Sequence, residues 1–133
     1  MGALNGVPEL CGHMIDSAIA HKRAQDSLGG FPARVTEAYL AFAESGDGSQ
    51  LDIVVFGILR FYLANKPAGE LDAMPCETRL IEDLGCDSLT MMDSVFMIES
   101  LFDVKLDDTE MAQLTTLRAL RQHLWNKLQR GAS

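Results

Sequence analysis

Between positions 51 and 63 the apolar residues recur three and four places apart: Leu51, Val54, Val55, Ile58, Leu59, Tyr62 and Leu63. On a helix of 3.6 residues per turn they form a wide apolar face, suited to the interior of a bundle. A chain carrying such a segment is committed to packing helix on helix. Ser49-Gln50-Leu51-Asp52 reads as a capping box opening this helix, with Asp in place of Glu, and Lys66-Pro67 with Gly69 reads as its end. A second helix, about Ser88 to Phe102, places Met92, Val95 and Ile98, with Leu101 or Phe102, at core spacing. Asp107-Asp108-Thr109-Glu110 puts acids at the start of a short third helix. Thr115 or Thr116 caps a fourth, which turns Leu117, Leu120, Leu124 and Leu128 inward and carries Lys127 and Arg130 at its C-terminal end, where the dipole favours cations. The loop from Pro67 to Cys86 is long for a compact domain, and Leu71, Met74, Leu80, Ile81 and Leu84 are available to pin it.

Residues 1–48 precede this set. Pro8 suits a first helical position, and Leu10, Met14, Ala18 and Ile19 follow at helical spacing with Cys11 and Ile15 alongside. Gly29-Gly30 ends that helix. Phe31-Pro32 starts another, with Val35, Tyr39 and Phe42 on one stripe, and Gly46-Asp47-Gly48 breaks it. The expectation is an αα-hairpin over residues 1–48, a helical domain over 49–130 and a tail at 131–133. Two short amphipathic helices are marginal in water alone and must pack on something. The positions from Leu51 to Leu128 already make a full core, so the hairpin is expected to be an accessory docking element or a site of self-association through residues 1–48.

Charge narrows the partners. The 133 residues sum to −8, yet Glu70 to Glu110 alone holds 12 acids against Arg79 and Lys105, a net of −10. That focus excludes nucleic acid and anionic membranes as natural partners and points to basic protein surfaces. Cys11, Cys76 and Cys86 form no Cys-x-x-Cys pair, and three thiols suit a reducing compartment. The longest apolar run, Ile53 to Leu59, is too short to cross a bilayer, and no basic residue precedes the first apolar segment as a signal peptide requires. A cytoplasmic protein with no stable membrane insertion is expected. His13 and His21 have no acidic or cysteine partner at ligand spacing, so no metal is expected.

The most specific stretch is Leu80-Ile81-Glu82-Asp83-Leu84-Gly85-Cys86-Asp87-Ser88-Leu89. It runs from an acidic loop through a glycine, suited to a turn, into the second helix. Asp87 is placed to cap that helix, and Ser88 then falls at its first position, beside the positive end of the dipole, where a phosphate ester would be favoured. Asp83 and Asp87 oppose such an ester in part. Ser88 has no base to make it a nucleophile, since no histidine lies between His21 and His123, so a non-catalytic role is expected.

The run Asp83-Leu84-Gly85-x-Asp87-Ser88-Leu89 resembles the attachment site of acyl carrier proteins, the D-L-G-x-D-S-L signature whose serine bears 4′-phosphopantetheine. The resemblance extends from about Ser49 to Gln129. It implies an all-α fold, an antiparallel four-helix bundle of three long helices and one short, with the N-terminal helices as an extension. It also implies that 4′-phosphopantetheine is covalently attached to Ser88, with Asp87 and Leu89 flanking the site. Acyl groups would be held as thioesters and delivered to enzymes of fatty acid, polyketide or specialised lipid synthesis. The partners implied are a phosphopantetheinyl transferase and acyl-loading, synthase and acyltransferase enzymes with basic docking surfaces. Thr90, Met91, Asp93, Met97 and Glu99 are the docking residues expected on the second helix. That helix departs from the family's denser acidic row, which favours a specialised carrier over the housekeeping one. Two alternatives stand beside it: a carrier of amino acids, whose Gly-Gly before the motif residue is replaced here by Gly85-Cys86-Asp87, and an unmodified carrier-like subunit.

Overall fold

The computed structural model describes residues 17–131, so the helix start expected at Pro8, with Leu10, Cys11, His13, Met14 and Ile15 behind it, lies outside the described residues. The helices among the described residues are α1 (Ser17–Ser27), α2 (Ala33–Ser45), α3 (Gly48–Tyr62), α4 (Ser88–Phe102), α5 (Asp108–Ala112) and α6 (Leu117–Gly131), with a 3-10 turn at Leu71–Ala73 between α3 and α4. The fold is all-α, and the four helices α3 to α6 form the expected set of three long and one short.

Helix α3 buries Leu51, Val54, Val55, Ile58 and Leu59 as its periodicity requires, and Leu63 is buried just beyond its end. Its start differs from the expected capping box. Asp47 is the N-cap, its carboxylate accepting from the Ser49 backbone N–H at 3.0 Å. Asp52 instead pairs with Arg121 of α6 at 3.0 Å, because the tertiary partner outcompetes the local one. The helix also stops earlier than Lys66-Pro67, at Tyr62. Helix α5 carries a true capping box between Asp107 and Glu110, and Thr116 caps α6 by accepting from the Ala119 N–H at 3.0 Å. Lys127, near the end of α6, reaches across to another helix. Its ammonium lies 2.6 Å from the Glu110 carboxylate, which also meets His123 at 3.0 Å and so ties α5 to α6.

The long connection is pinned by Leu71, Leu80 and Leu84, all buried, with Met74 packed against the core. Ile81 is 66% exposed and pins nothing, since Leu80 already takes the inward position of that turn. Backbone bonds from Leu80 to the Thr115 carbonyl, from Leu117 to Thr78 and from Arg118 to Cys76, each 2.9–3.0 Å, clip the connection to the start of α6.

The described part of the first 48 residues is two helices packed on the bundle, but α1 turns inward a different stripe from the expected one: Ala18 and Ile19 are exposed, Ile19 at 48%. Ala20, Ala24 and Leu28 of α1 and its turn, and Val35, Ala38, Tyr39, Phe42 and Ala43 of α2, join one continuous core with α3, α4 and α6. The Tyr39 hydroxyl donates to the Leu101 carbonyl of α4 at 2.6 Å, and Arg23 donates to the same oxygen at 3.1 Å. Phe102 takes the edges of Tyr39 and Phe42, with ring centroids 5.5 and 5.8 Å away. Arg34 reaches the carboxylate of Asp72 with two N–H groups, at 3.1 and 2.8 Å, joining α2 to the long connection. At Gly57 α2 and α3 approach closely: a Cβ there would stand 2.6 Å from Cγ2 of Val35.

Candidate functional site

The site is built by the turn that precedes α4. Asp83 accepts from the Arg79 backbone N–H at 2.8 Å and meets its guanidinium at 3.3 Å, closing a loop of four residues. These bonds hold the Asp83 carboxyl below the usual carboxylate range, the backbone bond contributing most. Gly85 then adopts φ +73°, which its missing Cβ permits without strain, and its N–H donates to Ile81. The alternation of Leu84 and Cys86 inward with Gly85 outward follows, and the Cys86 N–H is fixed on the Leu80 carbonyl at 2.9 Å. Burial pushes the Cys86 thiol up to about 11, so it stays protonated and serves as a small apolar filler.

Asp87 caps α4 as its sequence position requires. Its carboxylate accepts from the Thr90 N–H at 2.8 Å, and that bond lowers its pKa. Ser88 is the first residue of α4 and is exposed, as is Leu89 at 65%. The turn before it is open, with no atom within 4 Å of a Cβ placed on Gly85. An exposed hydroxyl at a helix N-terminus, with free space on its approach and a fixed backbone behind it, fits a covalently attached phosphoester arm. The chain's part is to hold that oxygen outward on a rigid helix; the arm, when attached, supplies a terminal thiol for thioesters.

The inward face of α4 is Thr90, Ser94, Val95, Ile98, Leu101 and Phe102. This corrects two readings. Thr90, expected as a docking residue, is 7% exposed and its hydroxyl lies 3.5 Å from the Tyr62 carbonyl of α3. Met92, expected in the core, is 59% exposed. The inward positions are taken by Thr90, whose hydroxyl faces the Tyr62 carbonyl of α3, and by Ser94, in place of Met92. Of the remaining expected docking residues, Asp93 is exposed, while Met91 and Met97 are half-buried and packed on the core. Glu99 is half-buried, and its carboxylate accepts from the Leu106 N–H at 2.8 Å, so it also closes the turn after α4. Phe96 is 69% exposed, and its spacing of seven from Leu89 places both on one face. Met92, Val95, Phe96, Glu99, Leu106 and Met111 line an open groove of about 300 Å³ between α4 and α5.

Comparison with known proteins agrees with this geometry. Residues 68–124 match the family model for the phosphopantetheine attachment site. The acyl carrier protein of Thermotoga maritima is 31% identical over 74 residues, which are 56% of this chain and 91% of that protein. The acyl carrier protein of Campylobacter curvus is 32% identical over 65 residues, 49% of this chain and 84% of that one. A non-reducing polyketide synthase of Aspergillus terreus is 37% identical over 91 residues, 68% of this chain; the chain spans only 4% of the synthase's length. No solved structure matches the chain. Among the described residues no helix is long and apolar enough to cross a membrane. The chain belongs to the acyl carrier protein family, whose prosthetic group is a covalently attached 4′-phosphopantetheine.

Proposed function

We propose that this chain holds acyl intermediates as thioesters on a 4′-phosphopantetheine arm attached to Ser88, and delivers them to enzymes of polyketide, fatty acid or specialised lipid synthesis. The observation that carries the reading is Ser88 itself, exposed at the first turn of α4 behind the Asp87 cap, within the segment matched to the attachment-site family. The chain does no bond chemistry; it presents the arm and the surface around it. That surface is the outward side of α4, where Leu89, Met92, Asp93 and Phe96 stand exposed, with Met91, Met97 and Glu99 partly so. Its carboxylates set the approach of a basic partner, because charge acts on encounter rate more than on affinity. The apolar side chains supply contact area, and methionines adapt to differently shaped partners. A phosphopantetheinyl transferase and the acyl-loading, synthase and acyltransferase enzymes are the partners. We place the carrier in the cytoplasm and take residues 49–130 as the carrier part of the chain.

The experiment is a loading assay on the arm-bearing protein with acyl and aminoacyl donors and their loading enzymes. Acyl thioester formation with Met92→Ala and Asp93→Asn each slowing transfer supports the reading. Loading by an aminoacyl donor alone would replace it with the amino acid carrier.

A further inference from the structure

One feature near α4 is left unused by the bundle. Phe31, Phe61 and Tyr62 form a cluster in which the rings of Phe31 and Phe61 are tilted by 35° with centroids 4.1 Å apart, and Tyr62 makes T-shaped contacts with both at 5.9 and 5.3 Å. The core does not swallow them: Phe61 is 37% exposed, and Phe31 and Tyr62 are only partly buried. The mutual ring contacts fix the shape of this apolar ledge. Phe31 comes from the α1–α2 turn, so the ledge exists only because the hairpin is there.

Its position is set by Tyr62, the last residue of α3. The Tyr62 carbonyl faces the Thr90 hydroxyl at 3.5 Å, two residues beyond Ser88. The ledge therefore stands at the Ser88 end of the bundle. It lies on the flank marked by Thr90, whereas Met92 and Phe96 point roughly half a turn away around α4. An enzyme seated on Met92 and Phe96 leaves the ledge free.

We propose that the Phe31–Phe61–Tyr62 ledge is an external resting surface for the acyl cargo on the arm of Ser88, and that it favours apolar acyl groups with a flat aromatic or conjugated segment over saturated chains. The inference rests on the attachment reading given above. Its occupant is the chain's own cargo because the surface stands at the end of the bundle that carries Ser88, roughly half a turn around α4 from the exposed Met92 and Phe96. Flat π systems gain stacked or edge contacts with the three rings, while a saturated chain gains only apolar area.

The test uses the full chain with ring-labelled phenylalanine, its arm loaded through a non-hydrolysable amide with either an aryl-containing or a saturated acyl group of equal carbon number. Intact mass first establishes that Ser88 is loaded. The ring resonances of Phe31 and Phe61 are then expected to shift on loading, more with the aryl group than with the saturated one, and the Phe61 shift is expected to shrink in Phe31→Leu. The wild-type comparison stands alone should that variant fold poorly. Loaded protein with unshifted rings, or equal shifts from both groups, overturns the ledge while leaving the attachment intact. Rings that respond only to an added phosphopantetheinyl transferase, loaded or not, mark a partner surface and also overturn it. No mass gain at Ser88 defeats the attachment reading, and the ledge with it.

Discussion

Replacing Gly57 by Ala tests whether the hairpin truly seats on α3. Gly57 lies inside α3, where alanine is favoured over glycine by about 1 kcal/mol of helix propensity. Against this, the new methyl would sit 2.6 Å from Cγ2 of Val35, well inside van der Waals contact. Val35 is 2% exposed, so it has no open side to retreat to. Overpacking of this kind costs about 1–3 kcal/mol. The net expectation for Gly57→Ala is destabilisation by about 1 kcal/mol, or roughly 4 °C in melting temperature for a domain of this size. In a Val35→Ala background the offending methyl is gone, and Gly57→Ala should turn stabilising by about 1 kcal/mol. The cycle therefore predicts a coupling near 2 kcal/mol, inside the range of about 0.5–3 seen for residues in contact. Urea unfolding of the four proteins, followed by helical circular dichroism, measures it. A stabilising Gly57→Ala in the wild-type background, or a coupling near zero, would refute the packing of α2 on α3.

Three further outcomes are expected. Lys127 first, then the Asp107 N–H and His123, hold the Glu110 carboxyl down at about 2 against an ordinary 4.5, so its contribution is whole above 4.5 and is lost as pH falls towards 2. Melting temperatures of wild type and Glu110→Gln should therefore differ at pH 6 and converge near pH 2; a constant gap sinks this. Ser94 is 2% exposed and its hydroxyl has no partner among the described residues, so Ser94→Ala should stabilise by about 1 kcal/mol in chemical denaturation, and a loss of that size would reveal a partner. We also expect a chain beginning at Ser49 to lose cooperative unfolding, because it strips Tyr39, Phe42 and Ala24 from the shared core; a sharp, wild-type-like transition would show the bundle to be self-sufficient.

The sequence made the bundle legible because its stripes are long and amphipathic. Leu51 to Leu63 and Leu117 to Leu128 each present one apolar side, and periodicity alone assigns them inward. Helix α4 was harder for a physical reason. Leu89, Met91, Met92, Val95, Phe96, Met97 and Ile98 are apolar nearly all round, so no single stripe stands out and spacing cannot choose the buried face. That face is fixed by distant partners: at its start by the Tyr62 carbonyl of α3 facing Thr90, and at its end by Tyr39 and Arg23, which bond the Leu101 carbonyl from sixty to eighty positions away. Local rules gave the wrong N-cap for α3 for a related reason, since Asp52 is drawn to Arg121 across the fold. The turn before Ser88 is the opposite case. Gly85, Asp87 and Ser88 act through bonds spanning at most a few residues, so their roles in the turn and cap followed from order alone. The hairpin's place in the core was hidden because a complete set of bundle positions already existed without it.

The central claim is that Ser88 bears the arm. The most direct measurement is the intact mass of the full chain after incubation with a phosphopantetheinyl transferase and coenzyme A, followed by fragmentation of the peptide containing Gly85 to Leu89. One phosphopantetheine added per chain, located on Ser88 and absent from Ser88→Ala with its helical signal unchanged, is the predicted result. An unmodified wild-type chain, or an addition that persists in Ser88→Ala, would contradict it.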